Sequence, residues 1–353
     1  MGSREAFWSI AARLLSDEGT PDDRHDAAKD LYEFFNELTG HPQDRVGVDA
    51  NPWQTETLLP YGKAINPYSA VICLQDHART CAFARGVHQA IRAARNRFPG
   101  EPVELLYAGT GPFAPLALLQ TACFSPDELR LTLIDIHQPA LDCLAGILAT
   151  LGLGDYVEDV LQADAAQWVP AGSKTYHVLV AEVMDRGLSE EPQVAATMHL
   201  VRFLRAGGFV VPEKVELSLC LFDPPIESRL GDWRASEESP STLDRKRQTL
   251  GTVFTLTRAS AEAISVTEDA RIILPKVQLP GELLSNGQLN ILTRITTFGD
   301  TCLDECEAGL TRPLTAEISF GLKPAMALDL CYRLSRNPGL EFQAMEAAGE
   351  ARH

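Results

Sequence analysis

Val103-Glu104-Leu105-Leu106-Tyr107-Ala108-Gly109-Thr110-Gly111-Pro112-Phe113 decides the fold. Four of its first five residues are apolar, over the length of a strand, and the glycines that follow make a tight turn before a helical stretch from Pro115 to Ala122. Strand, glycine turn and helix in that order let a ligand approach the backbone at the carboxyl end of the strand. Downstream the alternation repeats: Leu129–Ile134 reads as a strand, Ala140–Leu151 as a helix, Val157–Leu161 and Tyr176–Val180 as further strands, and Gln193–Leu204 as a helix ending at Ala206-Gly207-Gly208. Such a pattern predicts a Rossmann-like, doubly wound parallel α/β sheet, whose ligands sit outside the carboxyl ends of the strands.

Those ends carry acids. Asp135, in Leu133-Ile134-Asp135-Ile136-His137, closes the second strand and is placed to accept both hydroxyls of a ribose. Asp164, after the third strand, is placed to accept from an adenine amino group. With Gly109 and Gly111 they point to an adenosine derivative. NAD is the competitor, but Ala114 stands where the third glycine of Gly-x-Gly-x-x-Gly would be. After the fourth strand, Glu182 and Glu191 lie nine positions apart in Ala181-Glu182-Val183-Met184-Asp185-Arg186-Gly187-Leu188-Ser189-Glu190-Glu191. Two carboxylates converging from one loop suit a guanidinium, a planar cation with five N–H donors that stays charged. Read alone, the same loop would be a solvated acidic surface; Glu190 replaces Glu191 if the register slips by one.

The order and spacing from Tyr61 to Pro212 resemble the class I S-adenosylmethionine-dependent methyltransferases, and within them the protein arginine methyltransferases. Ala181-Glu182-Val183-Met184 with Glu191 is similar to that family's loop of two catalytic glutamates, and Asp76-His77-Ala78-Arg79-Thr80 to its Asp-x-x-Arg-Thr helix. The resemblance implies S-adenosyl-L-methionine as cofactor, Glu182 and Glu191 as the catalytic pair, and Arg79 on the cofactor's methionine carboxylate. It adds Tyr68, with Tyr61 before it, as cofactor-side aromatics. The chain departs from the family at Leu105 and Tyr107, which replace an acid and the first glycine of the cofactor loop, and it contains no Thr-His-Trp. These departures point to an enzyme acting on free L-arginine, as in streptozotocin-type natural-product biosynthesis. The alternatives are a protein arginine methyltransferase and a cofactor-binding, non-catalytic partner protein.

The 353 residues, 45% hydrophobic, exceed one ordinary core. They divide into an N-terminal helical segment (1–60), the cofactor-binding domain (61–212) and a β-rich substrate domain (213–353). In the last, Val215–Phe222, Arg271–Leu274, Leu289–Thr297 and Leu314–Phe320 read as strands and Leu250–Ser260 as a helix. Glu5–Leu15 and His25–Leu38 read as a helical hairpin that either mediates a homodimer or packs on its own subunit; Gly40–Pro67 reads as irregular, and Ala70–Phe98 as one long helix. His137 is expected to cap the helix after it, and Arg186 and Arg294 are the candidates for a substrate carboxylate.

Against 31 Lys and Arg stand 48 Asp and Glu, a net charge of −17 that repels a nucleic-acid partner. Eight scattered cysteines without a Cys-x-x-Cys pair predict reduced thiols in a cytoplasmic protein, and Cys302 and Cys306 lack companions for a metal site. No signal peptide and no membrane span are expected.

Overall fold

The computed structural model describes residues 2–40, 52–223 and 246–344; the first part of the connection after Gly40, residues 41–51, lies outside them. Helix α1 (Ser3–Leu15) and helix α2 (Pro21–Thr39) form the expected hairpin. Thr20 starts α2 by accepting from the Asp23 N–H while the Asp23 carboxylate accepts from the Thr20 N–H. Their apolar faces are filled within the chain: Phe7, Leu14, Leu31 and Phe35 are fully buried. Phe35 stacks on Phe113 of the glycine loop at 4.9 Å between ring centroids. The faces that suggested a dimer contact are therefore buried within this chain, against each other and against the parallel-sheet half.

Strands β1 (Thr57–Leu59) and β2 (Gly62–Ala64) form a short antiparallel hairpin inside the segment read as irregular. The single helix expected over Ala70–Phe98 is two, α3 (Pro67–Cys73) and α4 (His77–Arg97). Asp76 makes the break, because its Oδ1 accepts from the Arg79 N–H at 3.2 Å and offers the chain a new N-cap.

The central sheet is five-stranded and parallel in the order β5-β4-β3-β6-β7. In chain order its elements are β3 (Val103–Ala108), α5 (Pro115–Leu118) with a 3-10 continuation to Ala122, β4 (Leu129–Asp135), α6 (Gln138–Leu151), β5 (Val157–Gln162), β6 (Tyr176–Ala181), α7 (Gln193–Leu200) and β7 (Leu204–Val211). Strand order reverses at β3, which has β4 on one side and β6 on the other, so a crevice opens there at the carboxyl ends. The glycine turn expected to end the helix at Ala206-Gly207-Gly208 lies inside β7 instead. Gly208 makes this tolerable, since a Cβ there would meet the Tyr176 and His177 carbonyls at 3.3 and 2.8 Å.

Beyond Pro212 come β8 (Lys214–Phe222), β9 (Gln248–Thr257), α8 (Arg258–Ala263), β10 (Arg271–Gln278), β11 (Gln288–Phe298), β12 (Thr301–Leu303), β13 (Leu314–Thr315), β14 (Ala327–Arg333) and β15 (Gly339–Ala344). They form an antiparallel sheet β12-β11-β8-β9, with β13 on β11, and a three-stranded sheet β10-β14-β15. Most of the helix expected over Leu250–Ser260 is strand. Thr249, Thr252, Thr255 and Thr257 are β-branched and pair along β8, and only after Thr257 caps it does α8 begin. Of Leu314–Phe320 only the first two residues are strand. Strand β11 fastens this half to α4: Thr297 Oγ1 donates to the Ala82 carbonyl at 2.9 Å, and Gly86 leaves the room for it. Among the described residues no helix is long and apolar enough to cross a membrane.

Candidate active site

The crevice at the β3 switch point is one cavity lined by Arg79, Gly109, Gly111, Asp135, Asp164, Glu182 and Glu191. Seven of the eight residues singled out from sequence thus converge. Tyr68 does not: it sits on α3, about one-third exposed at 36%, outside the cavity wall. Tyr61, equally exposed at the tip of the β1-β2 hairpin, is outside it as well.

At the end of the cavity formed by the glycine loop, Asp135 and Asp164, the backbone does the positioning. Gly109 and Gly111 take φ of +85° and +58°, the left-handed region that glycine adopts without strain. Gly109 passes so close to the next loop that a Cβ would lie 2.5 Å from Val183 Cγ1 and 2.7 Å from the Glu182 carbonyl. Asp135 accepts from the Gly111 N–H at 2.8 Å and from the His137 N–H at 2.9 Å, so it ties strand end, glycine loop and helix start together. Asp164 accepts from the Ala166 N–H at 2.9 Å and the Gln167 amide at 2.6 Å. His137 stands at the N-cap of α6, but its side chain makes no cap; its Nε2 lies 3.1 Å from Thr57 Oγ1 instead.

The glutamate loop leaves β6 at Ala181 and keeps the ladder for one more residue, with the Glu182 N–H donating to the Ala108 carbonyl at 3.2 Å. Gln193 holds both ends of the loop. Its side chain accepts from the Val183 N–H at 3.1 Å and donates to the Ala181 carbonyl at 2.9 Å, and it is 1% exposed. The β-rich half holds the middle: Thr293 Oγ1 accepts from the Gly187 N–H at 2.9 Å, and the Tyr332 hydroxyl donates to the Leu188 carbonyl at 2.6 Å. None of these three supports was anticipated from sequence, because Gln193 looks like any polar residue at a helix start and Thr293 and Tyr332 lie more than a hundred positions away.

Glu182 forms a buried ion pair with Arg79. Burial pushes the Glu182 carboxyl up from its ordinary range, and Arg79 only partly offsets that. Glu191, 8% exposed and without a close cation, is pushed up to about 8, by burial first and by the Glu182 charge second. For Arg79 burial works downward, but the charges of Glu182, Cys73 and Glu191 hold its pKa above the ordinary value. Beneath them Tyr107, which lines the cavity at 2% exposure, has its phenol raised by burial and then by Glu182. The glycine that the family resemblance placed here is replaced by an aromatic floor under the charged cluster. Of the two arginines considered for a substrate carboxylate, Arg294 is paired with Asp304 at 2.5 Å and half exposed, and Arg186 is not on the cavity wall.

No family model matches the chain, and no curated protein matches it. Solved structures do. The chain resembles the Trypanosoma brucei PRMT1 enzyme-prozyme complex with AdoHcy at a TM-score of 0.51 and 12% identity, over 78% of this chain and 92% of that one. It resembles protein arginine methyltransferase 10 of Arabidopsis thaliana at 0.50 and 12%, over 78% and 93%. With PRMT6-SAH the values are 0.52 and 13%, over 77% and 98%. At such identities the likeness speaks for the fold, and the chain has the class I methyltransferase fold, a Rossmann-like parallel sheet preceded by helices and followed by a β-rich half, in the arrangement seen in protein arginine methyltransferase structures.

Proposed function

We propose that this protein is an S-adenosyl-L-methionine-dependent N-methyltransferase that methylates a guanidino nitrogen of free L-arginine, in the service of natural-product biosynthesis. The observation that carries the reading is the convergence of Glu182, Glu191 and Arg79 at one end of a cavity whose other end holds Asp135, Asp164 and the glycine loop. The residues fit the cofactor. Asp135 and Asp164 offer acceptors for ribose and adenine, Gly109 and Gly111 bare the backbone, and Arg79 is a buried cation within the same cavity for a carboxylate.

When bound, the cofactor supplies an electrophilic methyl on a sulfonium. Glu182 and Glu191 hold the guanidinium, fix its plane, and aim one terminal nitrogen along the line of attack. Arg79 has to serve both partners, and its five donors in a fixed fork allow this. Deprotonating the guanidinium before attack would cost on the order of 11 kcal/mol with an ordinary glutamate as base. The proton therefore leaves as the N–C bond forms, and Glu191, with its raised affinity for a proton, is the acceptor.

The likeness to protein arginine methyltransferase structures favours a second reading, in which the substrate is a peptide arginine. The lack of Thr-His-Trp in the chain favours the free amino acid. Mass spectrometry of L-arginine and of an arginine-rich peptide, each incubated with the protein and S-adenosylmethionine, separates them. Methylated L-arginine with unmodified peptide is the expected result. Methylated peptide alone selects the second reading, and the absence of both products points to another guanidine substrate or to a non-catalytic cofactor-binding role.

A further inference from the structure

The β1-β2 hairpin is clasped to the glutamate loop by main-chain and side-chain contacts that the chemistry above does not use. The Lys63 N–H donates to the Glu190 carbonyl at 2.8 Å, and Lys63 Nζ lies 2.8 Å from Glu190 Oε2 and 3.3 Å from Glu56 Oε1. Gly62, at φ +141°, lies against the same segment: a Cβ there would be 2.7 Å from the Glu190 carbonyl oxygen and 2.9 Å from the Glu191 carbonyl carbon and Pro192 nitrogen. Glu190 itself is held at φ +60°, a left-handed conformation unusual for a residue with a side chain. Its side chain is 57% exposed, while Glu191, one position on, is buried in the cavity.

Two adjacent glutamates can both satisfy the spacing that a two-carboxylate site needs, and a slip of one residue would exchange them. We propose that Lys63 is a positioning residue, which draws Glu190 out toward the hairpin and thereby fixes Glu191 as the carboxylate that faces the substrate guanidinium. An exposed lysine–glutamate pair alone has little leverage. This one acts together with the main-chain bond beneath it and with Gly62, which only a glycine can satisfy at that distance. The same hairpin reaches the adenosine end, since Leu59 and Ala64 line the cavity and Thr57 lies against His137. The register of the glutamates is thereby tied to the wall of the cofactor pocket.

The inference rests on the two-glutamate reading of the site, and its test combines activity with a readout that needs none. In Lys63→Met, kcat/KM for the guanidine substrate is expected to fall about 10- to 100-fold, with affinity for S-adenosylhomocysteine by calorimetry unchanged to within about twofold. Glu190→Gln should give a similar fall, and the double variant should be no worse than either single one, because both break the same contact. Lys63→Arg should restore most of the activity. Amide hydrogen exchange of residues 186–192 should rise in Lys63→Met and return in Lys63→Arg. Parental activity and exchange in Lys63→Met, or losses that multiply in the double variant, would overturn the proposal. If the parent methylates no guanidine the functional reading fails, and the exchange measurement still decides whether Lys63 positions the loop.

Discussion

The two ends of the cavity hold carboxylates in opposite ways. At the glycine-loop end, Asp135 and Asp164 accept three backbone N–H bonds between them, all at 2.8 to 2.9 Å and all from residues within their own loops or the adjoining glycine turn. At the glutamate end, Glu182 and Glu191 have no such backbone donors among the described residues; Arg79 pairs with Glu182 alone, and burial raises both carboxyls. The first end is a fixed mould, complete once the chain has folded. The second is a pair of carboxyls whose ionised forms burial disfavours, which on the proposed reading a guanidinium would stabilise. Binding a guanidinium gains most where desolvation has already been imposed by the fold.

The comparison breaks most severely at Arg79. Arg79→Ala would leave Glu182 without its cation beside an already unpaired Glu191, a loss of at most about 3 kcal/mol for a pair that is not fully buried. The thermal midpoint at pH 8 should drop by several degrees, and S-adenosylhomocysteine affinity should drop with it. At pH 5 the destabilisation should shrink, because Glu191 then carries a proton and the repulsion between the two carboxyls is relieved. An equal midpoint loss at both pH values would mean that Arg79 acts by packing rather than charge. Glu182→Gln comes next. It keeps the shape and removes the charge, so turnover should fall about 10²- to 10³-fold while S-adenosylhomocysteine still binds. Asp135→Ala probes the fixed mould: the Gly111 and His137 N–H groups lose a charged acceptor, worth about 1.5–3 kcal/mol each at most. Calorimetry should show cofactor affinity lowered roughly 10- to 100-fold, with the KM for the guanidine unchanged.

What sequence disclosed follows the same division. Strand-helix alternation, the glycine turn and the acids after the strands are local patterns, so the parallel sheet and the gathering of the glycine loop, Asp135 and Asp164 at its carboxyl ends were legible. Glu182 and Glu191 were legible because a strand end and a short loop bring them together without help from elsewhere. The supports of that loop were not. Gln193 looks like any polar residue at a helix start, and Thr293 and Tyr332 reach the loop from strands more than a hundred positions downstream. Gly62 and Lys63 sit in a segment whose glycine and proline content suggested disorder of pattern, although a hairpin of two three-residue strands is enough to place them. The misread helix over Leu250–Ser260 has a related cause. Its apolar residues suit either period, and pairing with β8 over nearly its whole length decided for strand.

The smallest expected effect is also the one that most directly separates the two ends. Glu191 has its folded pKa raised to about 8, and its charge faces Glu182, Asp185, Arg79 and Lys63. Because the folded value exceeds the unfolded one, the folded protein binds more protons than the unfolded chain between about pH 4.3 and 8, and this group's contribution to stability declines as pH rises through that window. Guanidinium binding has the opposite sign, since the carboxyl must be ionised to hold a cation. Below about pH 8 affinity for the guanidine should therefore weaken by up to tenfold per pH unit, with about one proton released on binding, while above it the affinity should level off. Calorimetry of L-arginine binding in buffers of different ionisation enthalpy measures that proton directly. Glu191→Gln should abolish the proton release, whereas Asp135→Asn should leave it intact. Proton release that survives Glu191→Gln would place the titrating group elsewhere and remove the distinction between a fixed end and a chargeable one.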